Sequence, residues 1–103
     1  VRGIYACSYL IYDDTPHGNT AGAYRRFYQG SPFVRVLDEP PNVLDVRGTN
    51  NADIYVQDGD GVTGVISSVD NLVRGAAGQA VQCMNLGFNL PEDRGLRLSA
   101  LIP

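Results

Sequence analysis

The sequence predicts an α+β fold, a two-layer domain in which a mainly antiparallel sheet carries two helices. Three observations point there. Residues 3 to 12, GIYACSYLIY, are β-branched and aromatic with apolar residues at both alternating positions, the pattern of a strand covered on both faces. DGDG at residues 58 to 61 separates two further strand-like runs, and Asp-Gly tolerates the positive φ angles that a tight hairpin requires. Within residues 67 to 90, SSVDNLVRGAAGQAVQCMNLGFNL, the positions Ala77, Val81, Met84 and Phe88 form the apolar stripe of an amphipathic helix.

In chain order, the first strand runs into DDTPHGNT, a cluster of turn and capping residues in which Asn19 or Thr20 can accept from free helix amides. The helix that follows is expected to end near Tyr28. Ala21, Tyr24, Phe27 and Tyr28 form its buried side, Arg25 and Arg26 its solvated side, and Gly30 suits its stop. Residues 33 to 37 alternate as a short strand, which Pro40 and Pro41 end because neither nitrogen can donate to a ladder. Residues 43 to 46 suggest another short strand. RGTNN then punctuates the chain before strands over 53 to 57 and 62 to 69, joined by the hairpin. On the final helix, Arg74, Gln82, Asn85 and Asn89 are expected to face solvent.

Composition limits the function classes. The chain has 103 residues, 44% hydrophobic and 18% charged, as an ordinary globular domain does. Its formal charge of −3 and scattered basic residues argue against nucleic acid and against anionic membranes. No apolar run approaches the roughly 18 residues needed to span a bilayer, and the start lacks the pattern of a signal peptide, so a cytoplasmic protein is expected. The chain lacks an initiator methionine and enters a strand almost at once, which suggests a piece of something longer.

Few residues have the setting that chemistry needs. There is no dinucleotide fingerprint, Walker-type loop, HExxH or nucleophile elbow. Cys7 and Cys83 read as small buried hydrophobes, and with the single His17, taken as a solvated loop residue, they cannot build a zinc cluster, so no metal site is expected. DGDG lacks the remaining ligands of a calcium loop. Arg35 could clamp a carboxylate or phosphate, or simply reach solvent or pair with Asp38. Gly75, Ala76, Ala77 and Gly78 at the start of the last helix stand out, because glycine costs about 1 kcal/mol against alanine in a helix interior. Bare backbone there suits either a polar or anionic ligand at the helix start or close packing against another element.

The blocks DNLVRGAAGQAVQCMNLGF, GTNNADI, SPFVRV, RGI and PEDRGL, in their order along nearly the whole chain, resemble the C-terminal portion of the N-acetyl-gamma-glutamyl-phosphate reductase family. The closely similar reductases of carrier-protein-linked aminoadipate or glutamate phosphate share the pattern, and aspartate-semialdehyde dehydrogenases have a comparable terminal helix. The resemblance implies a domain like the C-terminal domain of glyceraldehyde-3-phosphate dehydrogenase and an NADPH-dependent reduction of an acyl phosphate to a semialdehyde in arginine biosynthesis. In that chemistry a cysteine thiolate attacks, phosphate leaves and hydride reduces the thioester. The family's cysteine and histidine motifs lie upstream and are not in this sequence. Catalytic residues are therefore expected to be none here, and the 103 residues alone inactive.

By the same resemblance, residues 1 to 70 form a dimerisation and substrate domain, while residues 71 to 103 form a helix and tail returning to a nucleotide-binding domain. Asn71, Leu72, Arg74, Gly75, Ala76 and Gln79 would line the cofactor side, with NADP held mainly by that other domain. Arg74 stands where lysine is commoner, which keeps the charge and changes its geometry. The implied partners are the remainder of the reductase, the acyl phosphate and further copies in a homodimer or homotetramer. The two-sided apolar strand at residues 3 to 12 supports self-association independently. Rival readings are a free-standing oligomerisation or binding module without catalysis, and a small metal or redox protein using both cysteines. An upstream reading frame with a GxxGxxG strand-turn-helix would exclude the first, and ordinary thiol titration the second.

Overall fold

A computed structural model describes residues 2–12, 19–59 and 61–98. Along the chain come β1 (Ile4–Ile11), α1 (Thr20–Phe27), β2 (Val34–Leu37), α2 (Val43–Val46), β3 (Ala52–Gly59) and β4 (Val62–Val69). A π-helical segment, Val73–Gly78, then runs directly into α3 (Gln79–Gly87). The strands form one sheet in the order β1-β4-β3-β2. β4 pairs antiparallel with both neighbours, and β2 runs parallel to β3, so the fold is α+β with a mixed sheet. The hairpin closes with Gly59 opposite Val62 and Gly61 at φ 70°. His17 and Asp60 lie outside the described residues.

Local capping decides the short elements. The Asn19 side chain accepts from the Gly22 amide at 2.9 Å to start α1, and Gly30 ends the following turn at φ 84°. Residues 43 to 46 are a helical turn and not the predicted strand. There the Asn42 side chain accepts from the Leu44 amide at 2.9 Å, a local bond that outweighs the strand preference of two valines and buries Val46 completely. α2 thereby sits in the crossover that parallel β2 and β3 require.

The sheet has one helical face and one open face. Ile54 and Val56 are buried, and Asp58, of the same parity on β3, accepts from the Thr20 amide at the start of α1 at 3.2 Å. That face carries α1, whose Tyr24 and Tyr28 are half-buried; Phe27, predicted to be buried, is 79% exposed beyond them. On the opposite face Cys7, Ile66, Tyr55 and Leu37 form one row across all four strands, flanked on β1 by Tyr5, Tyr9 and Ile11. α2 reaches this face only at its margin, where Arg35 binds both Asp53 oxygens, at 2.6 and 2.8 Å. Arg35 thus clamps a carboxylate of its own chain, while Asp38 pairs instead with Arg25.

Within this chain β1 is an edge strand open on both faces, with Ile11 83% exposed, so no described helix of this chain supplies the cover expected for it. Cys7 on β1 and Cys83 on α3, expected to be buried, are exposed free thiols. The molecule is a slab only 18 Å thick, and its 15.1 Å radius of gyration exceeds the roughly 13 Å of a compact domain this long. The fully covered apolar residues are few: Phe33, Val46, Ile54, Val56 and Leu96 among the described residues.

α3 turns its polar side inward, the reverse of the sequence expectation. Asn85 is buried and donates to the carbonyls of Glu92 and Arg94, both at 3.1 Å, whereas Ala77, Met84 and Phe88 are exposed; of the expected faces only Val81, half-buried, and Asn89, exposed, keep their sides. Residues 90 to 96 fold back beneath the helix and present carbonyls, which an amide satisfies and a methyl group cannot. The helix is anchored on that return and on Asn50, and does not lie along the sheet. Gly78 makes the anchor possible: a Cβ there would stand 1.7 Å from Asn50 Oδ1 and 2.5 Å from the Val73 carbonyl.

Asp70 sets where the helix begins. Its fully buried carboxylate accepts from the Leu72 and Val73 amides through Oδ1, at 2.8 and 3.1 Å. Through Oδ2 it accepts from the Gly48 amide at 2.7 Å and Arg2 Nε at 2.9 Å. Burial alone would raise its pKa, but these donors together outweigh burial and hold it below the ordinary 3.8.

Gly78→Ala should therefore lower unfolding free energy by about 1–3 kcal/mol in chemical denaturation, its overlap overriding the better helix propensity. Gly75→Ala, whose Cβ would meet nothing closer than 3.6 Å, should be neutral or stabilising by up to about 1 kcal/mol. Because the folded pKa of Asp70 lies below its unfolded value, its contribution is complete above pH 3.8 and is lost as pH falls through the folded pKa. Denaturation midpoints should accordingly fall on acidification below that value, and Asp70→Asn should flatten that fall.

Candidate functional site

The turn after β4 and the π-helical segment divide the predicted site residues between two faces. Leu72, Gly75, Ala76 and Gln79, at helical spacing, come together on the outward side, where all four are exposed. Gly75 donates its amide to the Asp70 carbonyl at 3.0 Å, and Gln79 donates to the Ala76 carbonyl. The first of these is the i to i−5 bond of a π turn, a geometry that recurs at functional sites. Asn71 is half-buried beside them, and its Oδ1 is enclosed without a hydrogen-bond partner. A Cβ on Gly75 would stand 3.8 Å from the Asn71 Cβ, so the two residues adjoin.

Arg74 goes the other way. Its Nε donates to the Asn50 carbonyl at 2.6 Å, its Nη1 donates to Gln82 Oε1, and its guanidinium lies 5.1 Å from the centre of the Phe33 ring. Gln82 passes the chain on to Glu92 through its amide. Burial pushes the Arg74 pKa below its ordinary value, opposed by the nearby Glu92 carboxylate. Phe33, Arg74, Gln82 and Glu92 line a cavity of about 120 Å³ with Ser31 and Pro32 at its rim. The structure thus separates Arg74 from the other five predicted residues and assigns it to the inner polar seam.

Sequence reasoning missed two residues that build the site. Asp70 carries the N-cap signal, an acidic residue just before a helical pattern, and could have been read from it. Asn50 offered no signal, since in RGTNN it resembles any turn residue. In the fold it is 1% exposed, donates to the Leu96 carbonyl at 2.9 Å and fills the space that Gly78 leaves.

The turn leaves a small exposed surface at Leu72, Gly75, Ala76 and Gln79, and the two cysteines, Cys7 on β1 and Cys83 on α3, are free thiols. Among the described residues no group of three His, Cys, Asp or Glu could hold a metal, and no helix is long and apolar enough to cross a membrane.

The sequence model of the semialdehyde dehydrogenase dimerisation domain matches residues 1–71. N-acetyl-gamma-glutamyl-phosphate reductase of Dehalococcoides mccartyi is 51% identical over 105 residues, covering 99% of this chain and 31% of that protein. The Geobacter sulfurreducens reductase of the same name is 51% identical over 107 residues, with the same coverages. That of Methanosarcina acetivorans is 41% identical over 107 residues, covering 100% of this chain and 32% of its own length. The chain therefore spans about a third of these relatives, and the similarity continues past the domain match through the Asn71 to Gln79 turn. With a matched domain that ends where β4 hands over to the last helix, this chain belongs to the semialdehyde dehydrogenase family through its dimerisation domain.

Proposed function

We propose that this chain is the C-terminal portion of an NADP-dependent N-acetyl-gamma-glutamyl-phosphate reductase, a cytoplasmic enzyme of arginine biosynthesis. In this reading the chain forms the subunit interface and one edge of the cofactor site. The observation that carries the cofactor role is the contrast between two glycines. Gly78 is explained by Asn50, but a Cβ on the exposed Gly75 would make only ordinary contacts, the nearest 3.6 Å from the Asp70 carbonyl oxygen, so no neighbour within this chain requires a glycine there.

The residues present fit such a group. Gly75 and Ala76 offer an exposed shelf, and Leu72 an apolar flank 53% exposed. NADPH would supply the hydride. The chain's own part is to seat the nicotinamide end against Asn71, Leu72, Gly75, Ala76 and Gln79, while Arg74 holds the helix from within. No residue of this chain is assigned the role of nucleophile or general acid–base; those groups belong to the remainder of the enzyme.

The open sheet face supports self-association. Tyr5, Tyr9 and Ile11 are 46%, 70% and 83% exposed beside the Cys7 to Leu37 row, an apolar surface that a second copy would cover in a homodimer or homotetramer.

The full-length protein should convert N-acetyl-gamma-glutamyl phosphate to the semialdehyde with NADPH, and the 103 residues alone should not. Turnover by the isolated chain, or none by the full protein, would overturn the assignment. Gly75→Leu should raise the NADPH KM by about tenfold or more without unfolding the protein, since a side chain on the shelf displaces the ligand. Sedimentation at micromolar concentration should give a dimer or larger, reduced to monomer by Ile66→Arg on the open face; a monomeric parent protein would count against the interface.

A further inference from the structure

We propose that Asp70 is a positioning residue for the cofactor turn, coupling it to the chain at Arg2 through the two separate oxygens of one carboxylate. This rests on the cofactor reading of residues 71 to 79 given above. Oδ1 serves only the turn, accepting from the Leu72 and Val73 amides, while Oδ2 serves only remote segments, accepting from Arg2 Nε and the Gly48 amide. The Asp70 carbonyl adds a fifth bond, to the Gly75 amide, so one residue fixes the amides that lead into the shelf and the first amide of the shelf itself. Arg2 lies 68 residues away in sequence and leads directly into β1. A displacement of the segment at Arg2 therefore pulls on the same planar group that orients Leu72 to Gly75.

The group is rigid because nothing else can substitute for it. Asp70 is fully buried, and its carboxyl group is acceptor-only with all four of these donors in place. An asparagine keeps the shape but sets its NH2 against one pair of donors in either orientation, removing one side of the coupling. Arg2 is 35% exposed at its side chain, so removing its guanidinium leaves the amide bonds of the carboxylate and the local packing in place.

The test uses the full-length protein with Arg2→Met, Asp70→Asn and the double variant. Hydrogen exchange at the amides of residues 72 to 75 should quicken in each. NADPH affinity, read by fluorescence titration, should weaken by about tenfold in each, as expected for losing a hydrogen bond to a charged group. The double variant should be no worse than the weaker single, because both break one coupling. The KM for the acyl phosphate should stay within about twofold of the parent in Arg2→Met, a split that a general loss of fold does not produce. Additive effects, or NADPH affinity indifferent to Arg2→Met, would overturn the coupling while leaving the reductase reading intact. Should Asp70→Asn not fold, Arg2→Met decides alone. A parent protein that does not bind NADPH removes the cofactor reading and the coupling with it.

Discussion

A carboxylate removed from water has to have its lone pairs filled, and the way Asp70 does so fixes how the chain leaves the sheet. Four donors from three parts of the chain converge on it: the approach to β1, the turn after α2 and the first two amides of the last helical element. The end of β4, the start of the π turn and the edge of the sheet are thereby locked at one point. The π geometry follows locally, since Gly75 donates back to the Asp70 carbonyl and widens the first turn. Gly78 then arrives where a backbone without Cβ can pass over Asn50.

From that point the helix runs over loop and return segments, and this explains its inverted polarity. Its inner neighbours are the carbonyl groups of residues 50, 92 and 94, the Glu92 carboxylate and the ring of Phe33, so the inward positions are donors and spacers: Arg74, Gly78, Gln82 and Asn85. The apolar positions Met84 and Phe88, 49% and 74% exposed, are left outward. The sheet shows the same condition on a larger scale, with α1 on one face and an apolar row uncovered on the other. Both uncovered surfaces agree with a chain that spans about a third of its relatives and matches a dimerisation domain. The 18 Å slab is one sheet and one helical layer, as these surfaces imply.

The small-residue run at the helix start resolves into two different causes. Gly78 is a packing glycine, required by a neighbour within the chain, whereas Gly75 is exposed and a Cβ there would meet only ordinary contacts at 3.6 to 4.0 Å. Composition treats the two alike. The two glycines lie three residues apart in one π-helical segment, and the register set by Asp70 decides which one meets Asn50. Arg74 is assigned inward by the same register, which leaves its charge to hold the helix and takes it away from the outer shelf.

What depends on near neighbours and on ordered motifs was legible in the sequence: the α+β class, the strand over residues 62 to 69, the hairpin at Gly61, a helix cap at Asn19 or Thr20, which the structure gives to Asn19, and the resemblance to a semialdehyde-forming reductase. Period-2 and period-3.6 patterns and turn chemistry are local, so they are legible without a partner. It failed where a bond to a distant or competing group won, as when the Asn42 cap turned a valine-rich stretch into α2. Three-dimensional packing was needed to show which side of α3 is inside, that Arg35 holds Asp53 and not Asp38, and that Asn50 and Asp70 anchor the turn of the candidate site. The reason is that an amphipathic pattern fixes two faces but not their surroundings. Here the surroundings are backbone carbonyls brought in from elsewhere in the chain, and they select the polar face.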